Sequence, residues 1–396
     1  MNNLSTQTSL PSPTAPTRRW EIWQILMAVG FVIWVIMEFF QGGARSTSSA
    51  ISPLKITFTI LQLVTGLLVL QGACEALVQS VEHLGARLRW DSFVAGTIAE
   101  MLATLPELVV IVFLVQIDPF TAFTVAFITV YNNALIMSIY AFFLPRDSEG
   151  LFVMPKAITR AGTEILVAGA GLTLIIGIVK LVGATHLGKD SLKTADLFMI
   201  AGVLLSVFAL YLYTLIRHHS ASSGHEHSNG QAATPHASWP KIVGLFILGV
   251  AGALLGGDAV SAFANDAIHN FKLPSIPTAI FLAFFAGISE LVIIYKAHRR
   301  KQLAIALSNA FGGVTEVMFL VVPFTLITIG SFALYTGNPF YTVPVNFTTT
   351  TLVLLIFPVF FVLLQYLRHE HTFSVLQAGA MTGLYILLLY TLMTWV

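Results

Sequence analysis

LPELVVIV, residues 105–112, returns with substitutions as ISELVIIY at residues 288–295. Each copy sets one glutamate, Glu107 or Glu290, inside a long run of Leu, Ile, Val and Phe. The offset is 290 − 107 = 183 positions, and at the same offset Glu75 falls on Asp258 and Asn133 on Glu316. Apolar helices use few residue types and align by chance. Acids inside such runs are rare, so their coincidence marks an internal repeat.

The surrounding runs belong in a bilayer. Of 396 residues, 56% are hydrophobic and 10% charged, and the mean hydropathy is +0.83, far above that of a water-soluble domain of this length. A net charge of +1 gives no field that would attract nucleic acid. Cys74 is the one cysteine, which excludes an internal disulfide framework. Residues 1–20 are rich in Ser, Thr and Pro and lack a basic region leading into a short apolar core, so they read as a disordered cytoplasmic tail rather than a cleaved leader.

A bilayer core takes about 20 apolar residues per helix. Runs of that kind are expected near 21–40, 54–82, 92–116, 120–144, 160–183, 195–217, 241–268, 276–298, 302–330, 343–367 and 374–396. They are continuous rather than alternating, which excludes a transmembrane barrel. The fold class is therefore an all-α membrane protein of about eleven spans. With the N-terminus in the cytoplasm and the C-terminus on the opposite side, most of the 20 basic residues fall on the cytoplasmic face, among them Arg87, Arg146, Lys241, Lys296, Arg299 and Arg300.

The repeat divides the chain. Residues 21–53 form an extra N-terminal helix and loop, 54–217 a first five-helix repeat, and 241–396 a second. Five is odd, so the second copy enters the membrane from the other side, and the repeats are inverted. Two like halves that rock against each other open a central site alternately to each side. Residues 218–240 read as a cytoplasmic linker bearing His218, His219, His225, His227 and His236; it is a solvated connection, a metal-binding tract or a pH sensor.

An ionised carboxylate at mid-membrane costs about 2.5–3.5 kcal/mol on insertion scales, so such groups are kept for a partner. Glu100, Glu107, Glu290 and Glu316 are the strongest cases. Glu100 and Glu107 are seven residues apart, about two turns, and therefore share a face. Pro106 removes a backbone donor before Glu107, and Gly287 with Ser289 loosens the matching position, so both helices are expected to be interrupted and to free carbonyl oxygens. Carboxylates, Asn, Thr and carbonyls together suit a hard cation such as Ca²⁺. Zinc and copper prefer thiolate or imidazole, and neither lies near these acids in sequence.

The run FVAGTIAEMLATLPELVVIVFLV, Phe93 to Val115, resembles the first α-repeat of the cation/calcium exchanger superfamily. FFAGISELVIIYKAHRRKQLAIALSNAFGGVTEVMFLV, Phe284 to Val321, is similar to the second, and LQGACEALVQSVEHLG to the helix before the first. The extra N-terminal helix makes the layout more like the proton/calcium exchanger branch. The resemblance implies antiport of Ca²⁺ against H⁺ or Na⁺, with Glu107 and Glu290 as the paired cation ligands. It adds Asn133 and Glu316 on the following helices, with Asn132, Thr315 and Asn309 close behind, and Thr104 as the hydroxyl before the first glutamate. The chain departs from the pattern at Gly287, which has no hydroxyl, at Ser289, where a proline is expected, and at ITVYNN, where the first repeat often reads Gly-Ser-Asn.

Mn²⁺ and Mg²⁺ also accept oxygen ligands, and a non-transporting ion or pH sensor is the alternative from another class. An intramembrane hydrolase lacks support, since no HExxH or Gly-x-Ser-x-Gly word occurs. No cofactor is called for. The expected partners are inorganic cations and the lipid bilayer, and a homo-oligomer is left open.

Overall fold

The computed structural model describes residues 21–44, 53–88, 90, 92–154, 156–186, 190–222, 237–299, 301, 303–338, 340–368 and 372–395. The expected tail and the linker histidines His225, His227 and His236 lie outside the described residues. Among the described residues, 11 helical stretches are long and apolar enough to cross a bilayer. The chain is an integral, multi-pass, all-α membrane protein.

Helix α1 (Ile22–Ala44) precedes the repeat. The next five spans are α2 (Pro53–Leu88), α3 (Ser92–Ala103) joined to α4 (Leu105–Ile117), α5 (Pro119–Tyr140), α6 (Lys156–His186) and α7 (Thr194–Ser222). Then come α8 (Trp239–Asn265), α9 (Ser275–Ala286) joined to α10 (Ile288–Arg299), and α11 (Leu303–Glu316), which passes through a π-helical turn at Val317–Val321 into α12 (Val322–Thr336). Helix α13 (Phe347–Leu354) joined to α14 (Ile356–Arg368), and then α15 (Val375–Trp395), complete the second set.

The offset carried by the acids also governs the helix ends. Helices α3 and α9 start at Ser92 and Ser275, and the single-residue breaks that follow fall at Thr104 and Gly287, each pair 183 apart. In the first half the cause is Pro106, which has no N–H to donate back along the helix. The backbone tightens there, and the Glu107 N–H donates to the Thr104 carbonyl at 3.0 Å. In the second half Gly287 does the same work, because a residue without a side chain is a poor helix interior. The break lies between Glu100, on α3, and Glu107, on α4, and is the interruption expected at Pro106; Thr104 within it keeps φ −81° and ψ −12°, in the right-handed helical region.

The two halves are joined by the crossing of α2 and α8. A Cβ at Gly66 would lie 2.9 Å from the Gly256 carbonyl oxygen, and a Cβ at Gly256 would lie 2.9 Å from that of Gly66. The backbones approach as closely as small residues allow, which is how membrane helices associate without a hydrophobic driving force. Two short antiparallel pairs add stitches between the halves at opposite ends of the bundle, β1 (Leu151–Val153) with β4 (Thr372–Ser374) and β2 (Ser191–Leu192) with β3 (Val343–Pro344). Asp118 caps α5 by accepting from the Phe120 and Thr121 N–H groups, both at 3.1 Å, and so fixes the start of the most buried span.

Candidate cation site

The breaks set Glu107 in the first turn of α4 and Glu290 in the first turn of α10. Asn132 and Asn133 come from the middle of α5, and Glu316 ends α11 just before the π-helical turn. Glu107, Glu316, Asn132 and Asn133 are all buried, Asn133 to 1% exposure. Glu100 and Glu290 are half-buried.

Two glycines missed from the sequence bring these side chains together. A Cβ at Gly313 would lie 2.8 Å from Glu290 Oε2 and 3.0 Å from Asn133 Nδ2, so the acid and the amide both press on bare α11 backbone. A Cβ at Gly312 would run into the Glu100 carboxylate. The Gly-Gly pair opens one face of α11 so that Glu100 of α3 and Glu290 of α10 can reach it. The signal was present as two adjacent glycines inside an apolar helix ending in an acid.

Glu290 lies in the field of both Glu100 and Glu107, and Glu316 in the field of all three. Tyr211 of α7 adds a phenol near Glu100 and Glu316. Oε1 of Glu100 and Oε2 of Glu107 and of Glu316 are buried without a hydrogen-bond partner among the described residues, as is Oδ1 of Asn133. A buried carboxylate without a partner is costly, and four that repel one another are costlier. The arrangement calls for positive charge to enter. No three His, Cys, Asp or Glu side chains among the described residues close on one point, so the acids surround a shared region rather than forming a tight cage.

The remaining expected residues divide. Thr104 is buried at the α3–α4 break and donates to the Met101 carbonyl at 2.8 Å, leaving its oxygen lone pairs available. Thr315 likewise donates to the Gly312 carbonyl at 3.0 Å. Asn309 is half-buried on α11, two turns before Glu316, and belongs with the group by helix position alone. A narrow cavity of about 20 Å³ starts at Glu107 and is otherwise lined mainly by apolar side chains, Leu63, Leu67, Val110, Val260 and Leu282 among them. It has room for a water or two.

The bundle has two matched halves, each with a broken helix that carries an acid in the first turn after its break. Residues 241–394 match the family described as sodium/calcium exchanger protein. Three solved structures share the fold. The H⁺/Ca²⁺ exchanger CAX has 13% identity and a TM-score of 0.65, over 93% of this chain and 91% of that one. YfkE has 13% identity and a TM-score of 0.59, over 94% and 99%. The sodium-calcium exchanger NCX_Mj, in a crystal soaked with Na⁺ and Sr²⁺, has 18% identity and a TM-score of 0.51, over 84% and 98%. No curated protein matches by sequence. The chain shares its fold with these exchangers, and residues 241–394 carry the sequence pattern of the sodium/calcium exchanger family.

Proposed function

We propose that the protein is a secondary antiporter that moves Ca²⁺, or a similar divalent cation, across its membrane in exchange for H⁺ or Na⁺. The observation that carries this reading is a group of four acids from both halves: Glu100 against Gly312, Glu290 with Asn133 against Gly313, and Glu107 and Glu316 within their electrostatic reach. Among the described residues no Lys or Arg pairs with these four acids. Their charge is therefore balanced from outside the protein, by a metal ion or by protons.

Exchange follows from that balance. A divalent ion bound by the two central carboxylates, with the Asn133 amide oxygen, the Thr104 hydroxyl oxygen and carbonyls at the breaks, replaces the hydration it leaves behind. The same oxygens cannot hold that ion and protons together, so each displaces the other, and Na⁺ competes in the same way. An empty, fully ionised site is the least favourable state for the bundle, which discourages the halves from rocking without cargo. The N-terminus is assigned to the cytoplasm, so that the basic turn after α10 faces the same side.

Ca²⁺ uptake by the purified chain in liposomes tests this, with an imposed pH gradient in one set and an imposed Na⁺ gradient in the other. Uptake under one gradient alone identifies the counter-ion. Uptake of Mn²⁺ or Mg²⁺ and not Ca²⁺ under either gradient would replace the substrate, and no transport of any divalent ion would refute the function.

A further inference from the structure

Lys296 of α10 forms an ion pair with Glu75 of α2, Nζ to Oε2 at 2.6 Å. The pair crosses from one half of the protein to the other, between residues 221 positions apart. The Lys296 side chain is 41% exposed and that of Glu75 17%, so the lysine reaches from an exposed surface to a mostly covered acid. Glu75 is next to Cys74, whose sulfur contacts the Ala103 carbonyl at 3.7 Å, one residue before the α3–α4 break. Cys74 lies within the fields of Glu75, Glu107, Glu290 and Lys296. The ion pair thus stands at the edge of the carboxylate group, on the side of the basic turn.

The repeat supplies a comparison inside the same molecule. At the offset of 183, Glu75 corresponds to Asp258 and Lys296 to Phe113. The second place therefore has an acid and no cation. A Cβ at Gly257, beside Asp258, would lie 2.9 Å from Val109 and 3.3 Å from Phe113, so α4 packs directly on α8 there. Helix α10, the counterpart of α4, touches α2 only sparsely, and the ion pair spans that looser contact. In an inverted repeat, the two halves exchange conformations when the site opens to the other side. If the halves exchange in this way, the α10–α2 contact tightens toward the form that α4 and α8 have here, where Phe113 and not a cation stands at the place of Lys296.

We propose that Lys296 is a tethered cation at the mouth of the site, which holds Glu75 and competes with the transported divalent ion for the carboxylates on the basic side. Glu75 is then an entry ligand that receives the ion once Lys296 lets go. This rests on the assignment of the ion site to Glu107 and Glu290.

Equilibrium Ca²⁺ binding to the purified full-length chain, with thermal stability measured beside it, tests the proposal. Lys296→Gln should tighten Ca²⁺ binding about tenfold, as expected for removing one unit charge near a partly buried site. Lys296→Arg should leave it close to wild type. Glu75→Gln should weaken binding, because the freed lysine turns to the remaining acids, and adding Lys296→Gln to that background should restore it. If the pair is only a strut, Lys296→Gln lowers thermal stability with the Ca²⁺ affinity unchanged, and the proposal is overturned. It is equally overturned if Lys296→Arg tightens binding as much as Lys296→Gln. Glu107→Gln is the control: if it binds Ca²⁺ like wild type, the ion-site assignment itself fails, whatever Lys296 does.

Discussion

The two broken spans carry the same acid at the same place and reach it by different means. In the first half Pro106 interrupts the helix and Thr104 sits at the break; in the second Gly287 makes the break and Ser289 takes the proline's position, its hydroxyl donating to the Ala286 carbonyl at 3.2 Å. The following helices differ more. Helix α5 is continuous and offers the neutral Asn133, whereas α11 is opened by Gly312 and Gly313, ends in the acid Glu316 and passes into a π-helical turn. The backbone break is common to both halves, so it is the feature tied to the central glutamates. Each half gives two acids, Glu100 and Glu107 against Glu290 and Glu316, while backbone exposure is concentrated in the second half at Gly312 and Gly313.

The largest effect should come from the shared feature. Glu107→Gln and Glu290→Gln are each expected to reduce transport at least about a hundredfold, comparable to stripping one partner from a buried charged contact, with the helical content unchanged by circular dichroism. Transport that survives one of them would mean that the halves are not equivalent at their centres. Next, Glu316→Gln should weaken divalent binding about tenfold and Asn133→Ala by a smaller factor, since only Glu316 contributes charge. Equal losses in a binding titration would remove the asymmetry assigned to the Asn133–Glu316 pair.

Gly312→Ala places a methyl group on the Glu100 carboxylate. It should weaken divalent binding and lower thermal stability, with a cost of about 1–3 kcal/mol, in the range of overpacking a buried site. Glu100→Ala in the same chain should recover most of the stability, because it removes the group that collides. No recovery would show that the glycine serves another purpose. The smallest effect is expected from Pro106→Ser, which gives the first half the second half's residue. Transport should fall by less than about threefold, because the second half is interrupted without a proline and serine already stands at the matching place, Ser289. A large loss would make the proline, and not the break, the essential element.

The sequence made the spans and the breaks legible. The spans follow from run length against bilayer thickness, and the breaks from Pro106 and Gly287, residues whose backbone chemistry acts locally. The same is true of the acids, since a carboxylate in an apolar run is conspicuous wherever the chain folds. Contacts between distant segments were not legible. The Lys296–Glu75 pair joins residues from different halves, and Lys296 reads in sequence only as part of a basic turn. Gly312 and Gly313 read as ordinary small residues of a membrane helix until Glu100 and Glu290 are seen against them.

The most direct test is the stoichiometry of Ca²⁺ binding to wild type, Glu107→Gln, Glu290→Gln and the double variant, measured at equilibrium on the purified protein. If the two glutamates belong to one site, each single variant loses the same bound ion and the double variant loses no more. If each single variant loses a different ion and the double variant loses both, the halves bind separately and the shared central site does not exist.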